Sequence, residues 1–507
     1  MPQGRILIFI VAYNAEKTLD WVLDRIPRPL LTPENGILII DDSSKDRTYE
    51  VGVKYEKLPE GIQLTMLRTP INQGYGGNQK LGYRYAIEKG FDAVVLVHGD
   101  GQYPPEMIEE ITAPILAGDA DAVFGSRMMK QGEALKGGMP LYKYVGNRIL
   151  STFQNWWLGA ELSEFHSGFR AYSVRALASI PFENNTNDFH FDTEIIIQFF
   201  RKSLRIHEIP IPTYYGDEIC HVDGLKYAWD VVKATLLSKI QNLGFFYQRK
   251  FDVGVNFREQ PYEAKLDFPS SHSKAVAAIS EGEEVLDLGC GEGVVASALL
   301  EKNCEVTCVD QRQIEKVQQG ATHFEQIDLN NFQPSEELLH RKYSTILLLD
   351  ILEHLNNPED FLDTLRDKFG NQTPRVIVTT GNVGYFILRF AHLIGQFNYG
   401  PRGILDIGHK RLFNFRNLQL LLEESGYKIE KVEGIPAPYP LVLGRGNLSS
   451  TLMSLSQILI SIWKSFFSYQ IYIEARMTPS VDGMLNQMIS ASKETQSSFR
   501  APAVGSE

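Results

Sequence analysis

The 507-residue chain has few cysteines, no long uncharged apolar run and no basic block. Cys220, Cys290, Cys304 and Cys308 are too few and too scattered for a disulfide framework, which is typical of a reducing compartment. Cys304 and Cys308 share one face of a predicted strand, where buried core positions are expected rather than a metal site. The net charge is −12, and no Lys/Arg cluster offers the positive face that nucleic acid requires. We therefore expect no nucleic-acid partner.

Membrane-spanning and export signals are also lacking. No segment reaches the roughly 18 to 20 uncharged apolar residues that cross a bilayer. The nearest candidates are residues 383–397, interrupted by Arg389 and His392, and residues 452–473, interrupted by Lys464. Each is expected to form a helix that packs against its own domain or lies along a membrane surface. Because the apolar N-terminal strand also lacks a secretory signal's basic region and cleavage site, we expect a cytoplasmic protein, or one at the inner face of the membrane.

The length predicts at least two domains, because one hydrophobic core stops growing at roughly 250 to 300 residues. Two successive alternations of short apolar strands and helical segments predict two α/β domains, the first with a mostly parallel sheet and the second doubly wound. The expected boundaries are 1–243 for the first domain, 244–269 for a linker, 270–478 for the second domain and 479–507 for a Ser-rich disordered tail.

The individual elements follow from the same apolar periodicity. In the first domain, strands are predicted at 6–13, 36–42, 93–100 and 121–127, and helices at 16–26, 78–90, 106–118 and 224–243. In the second domain, strands are predicted at 283–290, 305–310, 323–328, 344–350, 375–381, 427–435 and 469–477.

Two acidic clusters end predicted strands in the first domain. IDDSSKDRT places Asp41 and Asp42 at the carboxyl end of a strand, where open α/β sheets bind ligands. VLVHGDGQYPPE places His98, Asp100 and Gln102 at alternate positions of another strand end. Carboxylate and carboxamide oxygens suit a Mg²⁺ or Mn²⁺ ion that bridges diphosphate oxygens, and an imidazole favours Mn²⁺. Between the clusters, the glycines of NQGYGGNQKLG allow backbone to approach a ligand closely.

In this order, the motifs AYNAEKTL, IDDSSKDRT, NQGYGGNQKLG, HGDGQYPPE, GSR and HSGFRAYS resemble those of family 2 glycosyltransferases with the GT-A fold, within them the dolichol-phosphate mannosyltransferase-like group. The resemblance spans residues 6–215 and implies a nucleotide-sugar donor and a polyprenyl phosphate or glycan acceptor. His98 stands where the family's metal motif has an acidic residue, and Ala12 replaces a strand-end proline. By position, the resemblance implies nucleoside contacts from Tyr13, Glu16 and Asp42, and a metal and diphosphate site at Asp100 and Gln102.

The resemblance also places Arg127 of GSR and Arg170 of SGFR near the acceptor or the diphosphate. Arginine forks suit phosphate oxygens. A polyprenyl phosphate is already anionic, so its attack needs cationic clamps and no base. A hydroxyl acceptor would need a base, and the candidates are Glu164, Asp192 and Glu194. Asp192 also stands at a predicted helix start, where it can act as a cap instead.

VLDLGCGEG, in the second domain, ends a predicted strand in a turn that contains Gly289, Gly291 and Gly293. Such glycines allow backbone to approach a ligand, and Asp287 can reach the ligand's amino group. The dinucleotide fingerprint G-x-G-x-x-G needs a glycine where this chain has Val294, so S-adenosylmethionine is favoured over a nicotinamide or flavin.

Asp310 ends the following predicted strand, where its carboxylate can accept both ribose hydroxyls. The order of motifs resembles class I S-adenosylmethionine-dependent methyltransferases over residues 262–477. The resemblance implies an adenine contact from Asp328 with Leu329 beside it, and it places LLLDILEHL beside the reactive methyl group. It also implies that the two final strands, YKIEKVEGI and YQIYIEARM, are antiparallel.

His354 and His409 match positions found in small-molecule O-methyltransferases. Either can be the base that removes a hydroxyl proton, and His409 is favoured because its loop can close over the acceptor.

The leading interpretation is a bifunctional α/β transferase that joins a GT-A-type domain to a Rossmann-like methyltransferase domain. The first would transfer a sugar with a divalent metal, and the second would methylate a hydroxyl of a glycan, lipid or small molecule. In one alternative, the second domain binds S-adenosylmethionine only to regulate an active glycosyltransferase. In another, supported by His98 in the metal motif, the chain is a non-catalytic scaffold that retains sugar-nucleotide binding.

Overall fold

The computed structural model describes residues 4–55, 57–58, 61–130, 132–213, 223–243, 246–253, 266–312 and 321–480, with Met484 and Met488. Two compact units are present: Met1–Lys239 with Gln248–Asn256, and Ile240–Tyr247 with Phe257–Glu507. Cys220, most of the predicted linker and nearly all of the predicted tail lie outside the described residues.

The first unit contains one seven-stranded mixed sheet. Its strands are β1 (Ile6–Ala12), β2 (Gly36–Asp41), β3 (Gln63–Arg68), β4 (Ala93–His98), β5 (Ala122–Ser126), β6 (Arg170–Ser173) and β7 (Ile206–Pro210). Their spatial order is β3-β2-β1-β4-β6-β5-β7, and only β6 runs against its neighbours. β1, β2 and β4 are buried on both faces, as their continuous apolar runs predict.

Helices cover both faces of this sheet, and their apolar sides form two clusters against it. They are α1 (Leu19–Asp24), α2 (Thr48–Val53), α3 (Gly74–Glu88), α4 (Ile108–Leu116), α5 (Glu133–Lys136), α6 (Leu141–Leu158), α7 (Val174–Ala178), α8 (Phe191–Arg201) and α9 (Gly224–Ile240). Short 3₁₀ turns lie at Arg28–Leu30, Pro105–Met107, Phe182–Asn184 and Arg249–Phe251.

The second unit contains another seven-stranded mixed sheet. Its strands are β8 (Glu284–Leu288), β9 (Glu305–Asp310), β10 (His323–Gln326), β11 (Thr345–Leu349), β12 (Arg375–Gly381), β13 (Tyr427–Ile435) and β14 (Gln470–Met477). Their order is β10-β9-β8-β11-β12-β14-β13. The last two strands are antiparallel to each other, as expected, but only β14 runs against the rest of the sheet, since it is also antiparallel to β12.

The helices of the second unit are α10 (Ser271–Ala278), α11 (Val294–Leu300), α12 (Glu336–His340), α13 (Pro358–Phe369), α14 (Phe386–Leu393), α15 (Phe415–Glu424), α16 (Pro440–Leu443), α17 (Asn447–Ile462) and α18 (Lys464–Phe467). Short 3₁₀ turns lie at Gln241–Leu243, Leu329–Asn331, Leu352–His354 and Gly370–Gln372. Cys304 and Cys308 are buried in its core. Among the described residues of either unit, no helix combines the length and apolarity needed to cross a bilayer.

The predicted α/β class is correct for both units, but periodicity missed three strands of the first sheet. β3 and β7 lie at the two edges and are only partly buried, so their apolar pattern is weak. β6 is four residues long. These strands form because they hydrogen-bond to neighbouring strands, and the apolar periodicity of a segment carries no information about such pairing.

Candidate active sites

Three parallel strands bring the polar motifs of the first unit to one edge of its sheet. β1 lies between β2 and β4 and pairs with both, with Ala12 opposite Asp41 and Val11 opposite His98. The turns that follow these strands therefore open at the same carboxyl edge, where α/β sheets bind ligands.

The turn after β1 contains two of the predicted nucleoside contacts. Tyr13 is exposed there. Glu16 pairs with Arg47, with 2.5 Å between Oε1 and Nη2. The side-chain and main-chain hydrogen bonds from Arg47 lower the pKa of Glu16. Both side chains thus lie at the solvent side of the edge, where a nucleoside can reach them.

Asp42, the third predicted nucleoside contact, is buried and anchors the loop before α3. Its Oδ1 accepts hydrogen bonds from Gln73 N at 2.8 Å and from Thr69 Oγ1 at 2.9 Å, and its Oδ2 accepts one from Gly74 N at 3.0 Å. The carboxylate therefore caps the N-terminus of α3, where negative charge is favoured. Its contact with a nucleoside stays a prediction.

The glycines of the NQGYGGNQKLG loop approach the protein's own backbone. A Cβ at Gly74 would lie 2.7 Å from Asn187 O, and a Cβ at Gly76 would lie 2.5 Å from Thr186 O. Gly76 N donates a hydrogen bond to Asn187 O at 2.8 Å. At both positions glycine makes room for the segment before α8, and the close approach of this loop to a ligand stays a prediction.

His98, Asp100 and Gln102 lie together at the end of β4. Asp100 is exposed, and its Oδ1 accepts a hydrogen bond from Gln102 N at 3.0 Å. The His98 ring packs edge-to-face against Tyr103 and Tyr75. Burial lowers the pKa of His98 more than nearby carboxylates raise it. The imidazole is therefore neutral near pH 7, which is the form that binds a metal, and the donor set fits a divalent cation.

A buried polar chain continues from His98 into the unit. Tyr75 Oη lies 3.4 Å from His98 Nε2 and donates to Asp192 Oδ2 at 3.0 Å. Arg170 Nη2 lies 3.6 Å from Asp192 Oδ2. Burial tends to lower the pKa of Arg170, but the Asp192 charge, together with Tyr172 and Tyr75, outweighs it and raises that pKa. The chain thus links a predicted metal donor to two predicted catalytic residues.

Arg127 forms a second buried ion pair, with Glu164. Oε2 of Glu164 accepts from Arg127 N at 2.7 Å, its Oε1 accepts from the Arg127 guanidinium, and Asn147 Nδ2 donates to Oε1 at 2.7 Å. Burial tends to raise the pKa of Glu164, but the Arg127 charge and hydrogen bonds outweigh it and lower that pKa. Both predicted phosphate clamps, Arg127 and Arg170, are thus paired with carboxylates, and phosphate binding by either stays a prediction.

The described residues contain one group of three His, Cys, Asp or Glu side chains whose ligand atoms lie within 4.8 Å of one another: Asp188, His190 and Asp230. The group stands apart in sequence from the predicted metal motif. Lys226 Nζ lies 2.8 Å from Asp188 Oδ2 and already supplies a cation there.

The VLDLGCGEG turn of the second unit joins β8 to α11 through three glycines with positive φ. At Gly289 the φ of +78° favours glycine, and a Cβ there would also lie 2.1 Å from Ile351 Cδ1. At Gly291, with φ +54°, no atom of the described residues lies within 4 Å of a Cβ position. The backbone at Gly291 therefore borders open space that a ligand can occupy.

Two buried carboxylates flank this turn. Asp310 Oδ2 accepts a hydrogen bond from Gly291 N at 3.0 Å. Burial, and then the charge of Asp310, raise the pKa of Asp287 to about 7. Two acidic groups beside an open glycine turn fit a ligand with positive charge, as S-adenosylmethionine has.

Asp328 and Leu329 follow β10. Asp328 is exposed, and its Oδ1 accepts from Asn330 N at 2.9 Å, so it caps the turn Leu329–Asn331. Leu329 is buried in the core of the unit. Only Asp328 thus has a side chain exposed to a ligand.

His354 and His409 are brought together from sites 55 residues apart in the chain, with ring centroids 4.7 Å apart. Nδ1 of His409 lies 2.9 Å from Ile404 O, and Nδ1 of His354 lies 3.3 Å from Gly408 O. Because a carbonyl oxygen only accepts, the proton of each neutral ring is assigned to Nδ1, which leaves Nε2 as an acceptor. Burial lowers the pKa of His409, so its ring is neutral and can take up a proton.

Comparison with known proteins identifies the domain in each unit. The profile described as "Glycosyl transferase family 2" matches residues 7–180, and the profile described as "Methyltransferase domain" matches residues 259–432. An uncharacterised protein of Methanocaldococcus jannaschii is 30% identical over 215 residues, which are 42% of this chain and 84% of that protein. The chain belongs to glycosyl transferase family 2. It also carries a methyltransferase domain, and the prediction of a chain with two transferase domains is confirmed.

Two further relatives have named activities. The UDP-N-acetylglucosamine–dolichyl-phosphate N-acetylglucosaminyltransferase of Methanococcus voltae is 30% identical over 227 residues, which are 43% of this chain and 88% of that enzyme. The undecaprenyl-phosphate mannosyltransferase of Micrococcus luteus is 27% identical over 208 residues, 41% of this chain and 82% of that enzyme. Each relative thus matches less than half of this glycosyltransferase–methyltransferase chain.

Sequence reasoning missed two acidic residues of the methyltransferase domain. Asp350, with φ +57°, accepts hydrogen bonds from Thr379 Oγ1 at 2.9 Å and from Gln470 Nε2 at 3.0 Å. Burial, and then the charge of Asp350, raise the pKa of Glu353 to about 8. Both residues lie in LLLDILEHL, and an acidic residue at a buried strand end is the signal that points to them.

Proposed function

We propose that the glycosyltransferase unit transfers a sugar from a nucleotide sugar to a polyprenyl phosphate with a divalent cation, and that the methyltransferase unit methylates a hydroxyl group with S-adenosylmethionine. The domain boundaries at 243 and 270, and a location at the inner face of the membrane, belong to this proposal. For the sugar transfer, the observation that carries the proposal is the buried chain from His98 through Tyr75 to Asp192 and Arg170. The named activities of the Methanococcus and Micrococcus relatives support a lipid-phosphate acceptor.

In sugar transfer, a phosphate oxygen of the acceptor forms a bond with the anomeric carbon while the bond to the nucleoside diphosphate breaks. The diphosphate leaves with the electron pair. Asp100 and Gln102, with His98, would hold a cation that neutralises this leaving group. Tyr75 fixes the ring of His98 on one side and Asp192 on the other. The residues thus position charge, and no proton has to be removed.

The three candidate bases support a phosphate acceptor over a hydroxyl. Glu164 is paired with Arg127, Asp192 is paired with Arg170, and Glu194 Oε1 lies 2.5 Å from Lys250 Nζ. The charge and hydrogen bonds of Arg127 outweigh burial and lower the pKa of Glu164, which makes it a weaker base, and the other two carboxylates are already engaged in ion pairs. An acceptor that arrives already ionised needs no base, so it leaves these ion pairs intact.

In methyl transfer, Gly291, Asp287 and Asp310 would bind S-adenosylmethionine, which supplies an electrophilic methyl group on a sulfonium. A hydroxyl acceptor would have to lose its proton as its oxygen takes up that methyl group. Its proton passes to Nε2 of His409, because Nδ1 is held by the carbonyl of Ile404. His354, packed against His409, orients the ring.

The test uses the full chain with a panel of nucleotide sugars, polyprenyl phosphate and labelled S-adenosylmethionine, with products identified by mass spectrometry. Asp100→Ala should abolish sugar transfer and preserve methyl transfer, and His409→Gln should do the reverse while the chain still binds S-adenosylmethionine. Asp20→Ala, at an exposed site of α1, is the control and should change neither. If the chain binds S-adenosylmethionine but methylates no acceptor in membrane extract, the regulatory-module alternative replaces the methyltransferase half of the proposal.

A further inference from the structure

Two segments of the methyltransferase unit contain no acidic residue. They are residues 381–405 and 434–473, and at the chain's average of 62 Asp and Glu in 507 residues about eight would be expected there. Their only Lys and Arg residues are Arg389, Arg402, Arg445 and Lys464. In a chain with a net charge of −12, both segments are thus purely cationic and otherwise uncharged.

The structure joins the two segments into one surface. Asn382 Nδ2 donates to Ser468 O at 2.8 Å and to Ser465 O at 3.2 Å. The guanidinium of Arg389 lies over the Phe466 ring at 5.3 Å. A separate apolar cluster lies beneath, formed by Tyr385, Leu388, Ile404, Leu405, Ala437 and Tyr469. The segments therefore form one surface with its own small core.

Large apolar side chains cover the outer side of this surface. On α17, Leu455, Ile458 and Ile462 are spaced to share one helix face and are at least half exposed, Ile462 by 73%. At the end of α14, Leu393 is 80% exposed and Ile394 is 67% exposed. Monomeric proteins rarely expose aliphatic patches of this extent unless the patch binds something.

We propose that the apolar face, defined as α14, α17 and α18 with Ile394 and Trp463, docks on the surface of an anionic phospholipid bilayer. The aliphatic side chains can enter the acyl boundary, Trp463 is exposed, and the only charged residues of the face, Arg389 and Lys464, are basic, and these are the features that bind such a surface. A second copy is a poorer occupant, because a symmetric contact would bring like charges together without acidic partners.

The apolar face is continuous with the candidate methyl-transfer site. Gln470, which follows α18, donates to both carboxylate oxygens of Asp350 at 3.0 Å. Ile404, in the cluster beneath the face, accepts through its carbonyl oxygen the hydrogen bond of His409 Nδ1. Docking would therefore place the base beside lipid headgroups, and the methyl acceptor would be a hydroxyl carried by a membrane lipid. This consequence rests on the proposed methyl transfer, whereas the docking does not.

The test measures sedimentation of the full chain with vesicles of phosphatidylcholine alone and of phosphatidylcholine mixed with phosphatidylglycerol. The wild type should bind the anionic vesicles more tightly. The triple variant Leu455→Glu, Ile458→Glu and Ile462→Glu should lower that partition by about tenfold or more, because three carboxylates replace three apolar anchors against negative lipid. Leu420→Glu, on α15 and as exposed as Leu455, is the matched control and should partition like the wild type.

A second readout locates the contact. Brominated lipid should quench tryptophan fluorescence less in Trp463→Phe than in Trp21→Phe. Trp21 is the control, because in the wild type its ring is similarly exposed but lies on the glycosyltransferase unit. Circular dichroism and S-adenosylmethionine binding should be unchanged in every variant, since all the substituted side chains are exposed.

Several outcomes would overturn the docking proposal. One is a wild-type chain that does not bind anionic vesicles, and another is a triple variant that partitions like the wild type. A third is a dimer, seen by analytical ultracentrifugation, that the triple variant abolishes while vesicles do not bind, since the occupant is then a second copy. A chain that binds vesicles through this face but transfers no methyl group would instead contradict the proposed function and leave the docking in place.

Discussion

Replacing Asp42 by asparagine separates two roles for this residue, namely contact with the nucleoside and anchoring of the loop before α3. Its two oxygens accept three hydrogen bonds, from Gln73 N, Gly74 N and Thr69 Oγ1 at 2.8–3.0 Å. Asparagine has nearly the same shape but only one acceptor oxygen. Its amide nitrogen would therefore face a main-chain N–H on one side, whichever way the amide is turned.

The expected cost follows from the burial of this carboxylate, which is 4% exposed. A hydrogen bond to a charged group contributes about 1.5–3 kcal/mol, and a buried donor left without an acceptor loses a similar amount. Asp42→Asn should therefore lower the local stability of the α3 N-terminus by about 2–3 kcal/mol, which corresponds to roughly 30- to 140-fold faster amide exchange.

Hydrogen exchange followed by mass spectrometry on peptides that cover residues 72–80 measures this change. Nucleotide-sugar binding is measured by calorimetry on the same samples. Asp20→Asn, at an exposed site of α1, is the control and should leave both unchanged. If Asp42→Asn lowers donor affinity while exchange in the loop stays as in the wild type, the anchoring argument is wrong and the nucleoside contact is favoured.

Three further predictions concern metal, pH and a buried ion pair. Asp100→Ala should abolish metal-stimulated sugar transfer. His98→Asp should shift the metal preference from Mn²⁺ toward Mg²⁺ in activity assays, because a hard carboxylate replaces an imidazole. If the ratio of the activity with Mn²⁺ to the activity with Mg²⁺ is unchanged, His98 is not a metal ligand. The affinity for S-adenosylmethionine, measured by calorimetry, should rise from about pH 6 to about pH 8, because the pKa of Asp287 is about 7 and a cationic ligand favours its ionised form. In Asp287→Asn the affinity should no longer depend on pH in this range. Because that pKa is raised on folding, the stability of the ligand-free methyltransferase unit should also fall as pH rises between about 4 and 7, and a flat profile would refute the shift. Glu164→Gln should destabilise the glycosyltransferase unit by about 3–5 kcal/mol, because it removes the carboxylate charge that pairs with the buried Arg127. In differential scanning calorimetry, the unfolding transition of the glycosyltransferase unit should move to lower temperature, and that of the methyltransferase unit should not move.

The sequence predicted correctly what depends on local pattern. Continuous apolar runs identified the central strands of both sheets, because a strand buried on both faces needs apolar residues at every position. The VLDLGCGEG turn was equally readable, since the positive φ at Gly289 and Gly291 favours glycine. Edge strands such as β3 and β7 were missed because half-exposed residues carry little periodicity.

Only the tertiary structure decided which partner each charged side chain takes. The resemblance predicts that Arg127 and Arg170 bind phosphate, yet both are paired with buried carboxylates from other segments. The sequence contains no sign of this pairing. Tyr75 reaches Asp192 across 117 positions of the chain.

The sequence by itself thus determined two α/β transferase domains and the glycine turn after β8, because backbone conformation and apolar periodicity depend on neighbours along the chain. The folded structure decided that Asp42 anchors a loop, that Gly74 and Gly76 make room for protein, and that two acid-free segments form one exposed apolar face. The physical reason is that hydrogen bonds, ion pairs and burial depend on distance in space, and sheet formation brings together residues far apart in sequence.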